Sequence, residues 1–365
     1  MRFLTPKLKY NLKIIIPFGV IWMILGWLFL WVEHSTMVSL GMPKAPNGAI
    51  ELSPRIVFFA SLSVFLVGCL VGLLEVIVIN KYFVDKSFPR KIISKLIIYS
   101  LILFLLMFVF YILAASIEMG KSVFDPVVFE RYKLFITSFV GLNTAVELSF
   151  SLLLSLLYAE ISDNIGQSVL FNFFTGRYHK PMVENRVFMF LDMKDSTEIA
   201  ESLGHVKYFR LLRDYYDDLS DAIINNYGEA YQYIGDEIVI SWKLKNKQAV
   251  KRSIQAYFEM TAALKTKEEW YLKTYGVIAD FKAGIHLGEV TTGEIGAMKK
   301  EIFFTGDVLN TTARIQGLCK KYQVDILTTH KIREQINAKE FTFESVGQAT
   351  LKGKSEPLEL FTVTA

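Results

Sequence analysis

The sequence predicts two structural parts: an all-α region of four membrane-spanning helices, then an α+β domain whose strands and helices follow the order βαββαβ. Two observations support this division. Hydrophobic residues make up 52% of the 365 residues, and the mean hydropathy of +0.33 is too high for an ordinary soluble protein. The long apolar runs also stop near residue 159, after which charged residues become frequent.

The charge gives no support for nucleic-acid binding, and the positions of the cysteines give none for a disulfide. The formal net charge is only +4, which gives no support for nucleic-acid binding. The two cysteines, Cys69 and Cys319, lie in different parts of the chain, and Cys69 is inside an apolar run. A disulfide between them is therefore not expected.

Four apolar runs are long enough to cross a bilayer, which requires about 20 residues. They are Ile14–Trp31, Ile56–Ile79, Leu96–Ile117 and Leu134–Ala159. The first run is rich in tryptophan and is not followed by a small-residue cleavage site, so it does not resemble a signal peptide. The region 1–159 is therefore interpreted as a four-span anchor that could also act as a sensor.

The distribution of basic residues predicts the orientation of these spans. The N-terminus and the second loop contain Arg2, Lys7, Lys9, Lys13, Lys81, Lys86, Arg90, Lys91 and Lys95. The other two loops are poorer in lysine and arginine and contain Glu51, Glu118, Asp125 and Glu130. By the positive-inside rule, both termini face the cytoplasm of an inner or plasma membrane, and so does the globular part.

One carboxylate lies within the fourth span. Glu147 is near its middle, beside Asn143 and Thr144. A carboxylate at this depth faces the interior of a helix bundle or a ligand. Two interpretations stay open: a protonated glutamate that bonds to a neighbouring helix, which is the commoner case, and a functional site. Glu75, near the cytoplasmic end of the second span, could reach the interface and has no predicted role.

Residues 160–180 are predicted to form a connecting signalling helix. Ile161, Ile165, Val169 and Phe173 recur every four residues and extend the fourth span as one apolar stripe, which Gly176 and Pro181 end. Such a stripe could pair with its copy in a second chain, or it could pack on its own domain. The pattern leaves both arrangements open.

The globular part, residues 181–365, alternates strands and helices. The predicted elements are a strand at Val187–Leu191, a helix at Ala200–Asn226, a hairpin of Ala230–Ile234 and Glu237–Trp242, a helix at Gln248–Thr274 and a strand at Phe281–Val290. This order is that of the ferredoxin-like split fold, in which helices cover one face of an antiparallel sheet.

Two aspartates end strands that lie side by side in this fold. Asp192 follows the first strand in FMFLDMKDST, and Asp236 is at the hairpin tip in YQYIGDEIV. Both should emerge at one sheet edge, where two carboxylates repel each other unless a cation lies between them. Hard divalent ions such as Mg²⁺ suit such a site. The helix that follows begins near Ser196 and Thr197, and its first N–H groups form a phosphate-binding position.

Further polar residues follow in FTGDVLNTTARI and LKGKSEPLELF. Asn310 and Arg314 are four residues apart, so they share one helix face, and Arg suits the charge of a phosphoryl group. Lys352 and Lys354 surround Gly353 in a basic turn, and Lys299 lies in another. Each feature alone is explained by an ordinary turn, cap or exposed surface, and Asp195 is expected to cap its helix. Together they favour a nucleotide site.

Taken together, these segments resemble the catalytic domain of class III nucleotidyl cyclases over roughly residues 183–365. The resemblance implies conversion of a nucleoside triphosphate to a 3′,5′-cyclic nucleotide and pyrophosphate. It implies that Asp192 and Asp236, with the Met193 carbonyl, hold two Mg²⁺ or Mn²⁺ ions.

The resemblance also assigns the remaining residues. It implies that Asn310 and Arg314 orient the ribose and stabilise the transition state, and that Lys352 contacts the phosphates. It further implies a head-to-tail homodimer in which one subunit supplies the metal aspartates and the other the Asn–Arg pair.

Two positions depart from the adenylate-forming pattern of that family. Gln232 stands where the family usually has lysine, and Phe303 stands where it has Asp or Thr. A glutamine amide can pair with adenine or, when flipped, with guanine, whereas Phe303 offers only stacking or packing. ATP is the favoured substrate, and GTP stays open.

Three alternatives remain. A diguanylate cyclase has a similar Gly-Asp hairpin, but Ile234 and Ile238 break its signature. A catalytically inactive membrane receptor could use a cyclase-like domain only to dimerise or to bind nucleotide. A four-span transporter with a regulatory tail would need more intramembrane polar groups than Glu147 and Asn143. An unknown ligand or partner at the membrane region is compatible with each of them.

Overall fold

The computed structural model describes residues 5–39, 53–83, 86–336, 341–352 and 356–364. The chain forms two compact units, one made of Lys9–Phe171 and one made chiefly of Asn172–Ala365. Four residues used in the sequence analysis, Arg2, Glu51, Gly353 and Lys354, lie outside the described residues.

The first unit is helical. Its helices are α1 (Pro6–Ser39), α2 (Pro54–Leu74), which continues through a π-helical stretch (Glu75–Ile79) into α3 (Asn80–Tyr82), then α4 (Phe88–Met119), α5 (Pro126–Ile136) and α6 (Phe139–Ile165). Among the described residues, four helical segments are long and apolar enough to cross a membrane: Pro6–Thr36, Pro54–Tyr82, Phe88–Met119 and Phe139–Ile165. The prediction of four spans is confirmed.

The predicted start of the fourth span is wrong by a few residues. Residues 134–136 are the last residues of α5, whose C-cap is Thr137, and the next helix begins only after Ser138. The Ser138 hydroxyl accepts a hydrogen bond from the Gly141 N–H (3.2 Å) and so caps α6. Because the apolar composition continues across this turn, hydropathy alone could not locate the boundary.

The predicted continuous connecting helix is also interrupted. The helix α6 ends at Ile165, and α7 (Gln167–Thr175) begins after Gly166, whose backbone has φ 89° and ψ 134°. Glycine adopts this conformation without the cost that other residues pay, and it breaks the helical hydrogen-bond pattern. The apolar stripe is therefore divided between two helices, and its pairing with a second chain stays a prediction.

A polar cluster joins the π-helical stretch, α3 and α4. Lys95, which the sequence analysis counted as a loop residue, lies in α4 and forms an ion pair with Glu75. The Tyr99 hydroxyl donates to Glu75 Oε2 (2.9 Å), and Lys95 Nζ donates to Asn80 Oδ1 (3.2 Å). Glu75 is only 2% exposed and is paired with Lys95. The sequence left it open that Glu75 reaches the interface, and its burial in this unit shows that it does not.

The carboxylate of the fourth span faces α1. An added Cβ on Gly26 would lie 3.4 Å from Glu147 Oε1. The neighbouring Asn143 makes a hydrogen bond between the two helices, because its Nδ2 donates to Glu33 Oε2 at 3.4 Å. These contacts show how α6 packs against α1. They do not decide between the two interpretations of Glu147.

The second unit is an α/β domain. Its elements are β1 (Met182–Met193), α8 (Ser196–Asn225), β2 (Glu229–Ile234), β3 (Glu237–Lys243), α9 (Gln248–Thr266), α10 (Glu268–Tyr275), β4 (Phe281–Ile295), β5 (Glu301–Thr305), α11 (Asp307–Gly317), α12 (Cys319–Tyr322), β6 (Ile326–Thr329), α13 (His330–Arg333), β7 (Thr342–Ala349) and β8 (Leu358–Thr364). The strand order is β2-β3-β1-β4-β6-β8-β7, and β5 pairs with β4. The predicted βαββαβ order is confirmed.

Two details of that prediction are wrong. The helix expected at Gln248–Thr274 is divided into α9 and α10 at Lys267. The sheet is mixed rather than antiparallel, because β4 and β6 run parallel.

Helices cover both faces of the sheet rather than one. Val187, Met189 and Leu191 pack with α8 and α9, whereas Phe188 and Phe190 pack in a second cluster with Val308 of α11. A strand buried on both faces is apolar at every position, which explains the unbroken VFMFL run. The end of β1 is consequently fixed by helices on both sides.

We expect Cys319 to be protected in the folded protein. It is completely buried, and burial raises the pKa of its thiol to about 12. In a Cys69→Ser variant, whose single cysteine is Cys319, a thiol reagent at pH 8 should react slowly with the native protein and fully in denaturant. Rapid reaction of the native protein, followed by absorbance, would contradict this packing.

Candidate active site

The structure brings the two predicted aspartates together. In the pairing of β1 with β3, Asp192 stands opposite Glu237, which directly follows the turn residue Asp236. Gly235 precedes Asp236 with φ 64°, a turn conformation that glycine adopts readily. The Tyr216 hydroxyl donates to the Gly235 carbonyl (3.0 Å) and holds the turn. The carboxyl groups of Asp192 and Asp236 consequently lie within hydrogen-bonding reach of each other.

These carboxylates disturb one another electrostatically. Burial and the charge of Asp236 raise the pKa of Asp192 to about 6, opposed by the amide of Gln316 and the charge of Lys282. Burial, Asp192 and Asp236 raise the pKa of Glu237 to about 7. Three carboxylates therefore share a partly buried space, and a cation would lower the electrostatic energy.

The donor set suits a hard divalent ion. Carboxylate oxygens are the ligands that Mg²⁺ and Mn²⁺ prefer, and Mg²⁺ takes only one or two from the protein. Over the described residues, no group of three or more His, Cys, Asp or Glu side chains forms a metal cage. An open pair of aspartates leaves coordination positions for substrate oxygens and water.

The turn after β1 is anchored by a lysine that sequence analysis did not single out. Lys194 Nζ lies 2.6 Å from both Asp280 Oδ2 and Asp325 Oδ1, and its backbone N–H donates to the Asp280 carbonyl (2.9 Å). Asp280 and Asp325 directly precede β4 and β6. The turn is thus tied to the two strands beyond β1.

The prediction that the Asp195 side chain caps α8 is wrong. Asp195 occupies the N-cap position of α8, but its backbone is left-handed (φ 53°) and its side chain makes no capping hydrogen bond. The turn geometry rotates the carboxylate away from the first-turn N–H groups. Ser196, partly buried, forms a side-chain hydrogen bond with Tyr208, and Thr197 is exposed.

The helix α11 presents two different faces. Val308, Thr311, Thr312, Ile315 and Gln316 are its buried residues. Asn310 and Arg314 are exposed, and Arg314 Nη1 donates to the carbonyl of Lys352, whose side chain is also exposed. Arg314 and Lys352 are thus adjacent. Within one chain, however, the Asn–Arg pair points away from the face that contacts Asp192.

The predicted base-reading residues lie on neighbouring segments. Gln232 and Phe303 are both exposed. Gln232 directly follows Tyr231, and Phe303 directly precedes Phe304. The rings of Tyr231 and Phe304 have centroids 4.6 Å apart, and the Phe304 N–H donates to the Tyr231 hydroxyl (3.2 Å). Lys299 lies in the turn between β4 and β5, where it pairs with Glu301 at 2.6 Å.

A buried arginine supports the Phe304 segment, and sequence reasoning missed it. Arg186 in β1 is 1% exposed and bonds to Glu184 Oε2 (2.8 Å), Glu229 Oε2 (3.0 Å) and Ser241 Oγ (2.9 Å). Its guanidinium lies 4.5 Å from the centre of the Phe304 ring. Burial acts to raise the pKa of Glu184, but Arg186 and Lys243 outweigh it and hold that pKa below its ordinary value.

Removal of this guanidinium should destabilise the domain. Arg186→Met leaves two carboxylates without their buried partner, so we expect the free energy of unfolding to fall by about 3 kcal/mol. Chemical denaturation, followed by tryptophan fluorescence, measures the loss. Arg210→Met, on the exposed side of α8, is the control and should change stability by less than about 0.5 kcal/mol. Equal stability of the two variants would contradict the role of Arg186.

Comparison with known proteins places this geometry in a family. The family model of the adenylate and guanylate cyclase catalytic domain matches residues 179–364, so the chain belongs to that family. Adenylate cyclase 2 of Rhizobium meliloti (strain 1021) is 30% identical over 206 residues, 56% of this chain and 57% of that protein. An adenylate cyclase of Anabaena cylindrica is 28% identical over 48% of this chain and 36% of that protein.

A solved structure shares the fold. A bacterial light-regulated adenylyl cyclase is 18% identical, with a TM-score of 0.53 over 62% of this chain and 66% of that chain. The chain spans only 57% and 36% of the length of these two curated relatives. The family assignment favours the class III interpretation over a diguanylate cyclase.

Proposed function

We propose that this chain is a membrane-anchored nucleotidyl cyclase that converts ATP to 3′,5′-cyclic AMP and pyrophosphate. One observation carries the proposal: the carboxyl groups of Asp192 and Asp236 converge beside the N-terminus of α8, where burial and their mutual charge raise the pKa of Asp192. Relatives named as adenylate cyclases support ATP as the substrate. The same site with GTP is the second candidate.

The metal-binding part of the proposed site is the end of β1 and the adjoining turns. Asp192 and Asp236, with the Met193 carbonyl, would hold two Mg²⁺ or Mn²⁺ ions. Such ions, when bound, neutralise the triphosphate and acidify the ribose hydroxyl. The first-turn N–H groups of α8 at Ser196 and Thr197 would donate hydrogen bonds to phosphate oxygens.

The remaining residues act on the ribose and on the reacting phosphate. The ribose 3′-hydroxyl would lose its proton to water as its oxygen attacks the α-phosphorus. The bond from that phosphorus to the bridging oxygen of the β-phosphate breaks, so negative charge grows on the departing pyrophosphate. Arg314, held by the Lys352 carbonyl, would stabilise that charge, and Asn310 would orient the ribose. Lys352 and Lys299 would contact the phosphates.

A complete site requires two chains in this proposal. The Asn–Arg pair is exposed on the side of α11 opposite the residue that contacts Asp192, so one chain does not direct both sets at one substrate. A head-to-tail homodimer supplies Asp192 and Asp236 from one copy and Asn310 and Arg314 from the other. Two equivalent sites result.

The membrane unit would hold the domain at the cytoplasmic face, where nucleoside triphosphates are present. The lysines and arginines flanking the first two spans support this orientation. Anchoring and dimerisation are sufficient roles for the four spans, and a sensed ligand would add regulation.

The first experiment is a product assay on the full-length protein in detergent with ATP or GTP and Mn²⁺, read by mass spectrometry. We expect cyclic AMP, and we expect Asp192→Asn to lower its formation by about 100-fold or more because a metal ligand is lost. Asp217→Asn removes an exposed carboxylate of α8 and should leave the rate unchanged. No cyclic product from the parent, or equal rates for both variants, would favour the inactive-receptor interpretation.

The base-reading role of Gln232 has its own test. Gln232→Glu replaces an amide that pairs with either base by a pure acceptor, which suits the N–H edge of guanine. We expect the ratio of kcat/KM for ATP to that for GTP to fall about 10-fold. An unchanged ratio would place the base contact elsewhere.

A further inference from the structure

Gln316 contacts a proposed metal ligand from the opposite layer of the domain. It lies in α11, is 8% exposed, and its Nε2 donates to Asp192 Oδ2 at 3.3 Å. An amide donor favours the charged carboxylate and fixes the direction of its oxygens. The sequence analysis gave this residue no role.

A glycine in the sheet determines how close Gln316 can come. A Cβ on Gly284 of β4 would lie 2.5 Å from the backbone nitrogen of Gln316, so α11 rests directly on the strand. Gly284 pairs with Phe190, two residues before Asp192. Four residues further along β4, Gly288 receives Val308 in the same way, with a Cβ-to-Cβ separation of 3.1 Å. The height and direction of α11 over the sheet are therefore fixed.

The same helix carries the Asn–Arg pair on its other side. Arg314 and Gln316 are two positions apart, which is about 200° around a helix. Gln316 faces Asp192 of its own chain, whereas Asn310 and Arg314 face solvent. The eleven residues of α11, about 16 Å of helix, thus present polar side chains in two different directions.

We propose that Gln316 is a positioning residue that orients Asp192 of its own chain, so that each α11 supports both active sites of the dimer. Gln316 supports the metal site of its own chain, and Asn310 and Arg314 complete the site whose aspartates belong to the partner. The assignment rests on the proposed function and extends it to a residue to which the sequence analysis gave no role.

The first test measures metal binding without turnover. Gln316→Met keeps the length of the side chain and removes the N–H donor. We expect the full-length variant to bind Mn²⁺ about 10-fold more weakly, as read from the electron paramagnetic resonance signal of free Mn²⁺. If that variant does not fold, Gln316→Asn, whose amide is one methylene shorter, should show the same weakening.

The matched control is on the same helix. Thr312 is completely buried, and its hydroxyl donates only within α11, to the Val308 carbonyl (2.6 Å). Thr312→Val keeps its shape and should leave the Mn²⁺ affinity unchanged. An unaltered affinity in Gln316→Met, or equal weakening in both variants, would overturn the proposal.

The second test identifies the chain on which Gln316 acts. Gln316→Met is co-expressed with Arg314→Ala or with Asp192→Asn and assayed at limiting Mn²⁺. Because mixed dimers with Arg314→Ala contain one intact site, activity should rise to about one quarter of the parental value. Mixed dimers with Asp192→Asn contain none and should show no rise. Equal results for the two pairings would reduce Gln316 to a structural residue and overturn the assignment.

A third pairing separates the Gln316 proposal from the proposal of a two-chain site, on which it rests. Asp192→Asn with Arg314→Ala tests the two-chain site without Gln316 and should also recover about one quarter of the activity. No recovery in this pairing would show that the two-chain function itself has failed. Recovery here, with equal results for Gln316→Met in its two pairings, would show that only the Gln316 assignment has failed.

Discussion

The α/β domain is organised around an unfavourable contact between two carboxylates. Asp192 and Asp236 are held together by the pairing of β1 with β3 and by the tight turn at Gly235, and Glu237 adds a third negative group. Charges this close cost free energy in a partly buried place. The surrounding structure must therefore hold each of them through several contacts, as is usual where a site is prepared for a ligand.

The surrounding contacts supply that constraint. β1 is buried on both faces, so α8 and α9 fix it from one side and α11 from the other. Lys194 ties the turn after β1 to the starts of β4 and β6, and Gln316 reaches Asp192 because Gly284 lets α11 rest on the strand. These contacts explain how a carboxylate at a strand end and a carboxylate in a turn keep their relative geometry.

The sequence was informative where the signal is local. Hydropathy located four spans, and strand and helix periodicity gave the βαββαβ order, because each depends on residues close along the chain. The convergence of Asp192 and Asp236 followed from that order. The broken helix at Gly166 was missed because a single glycine can continue or end a helix, and the outcome depends on its φ.

Other residues depend on register and on packing between layers. Glu237 joins the carboxylate pair only because it stands opposite Asp192 in the sheet. Gln316 and Arg186 act across layers or strands, 124 and 43 residues away from Asp192 and Glu229 respectively. The buried pair of Lys95 and Glu75 was hidden because a lysine near a span boundary is typical of a loop. No pattern of one sequence encodes such contacts.

The central claim is that Asp192 and Asp236 form a strained pair which a divalent cation relieves. Its most direct test is thermal unfolding of the full-length protein and of Asp236→Asn at pH 7.5, with and without Mn²⁺. The parent should be stabilised by Mn²⁺. Without metal, Asp236→Asn should unfold at a higher temperature than the parent, because the repulsion is gone, and Mn²⁺ should barely change it. A variant that is less stable than the parent without metal, and that gains as much from Mn²⁺, would contradict the account.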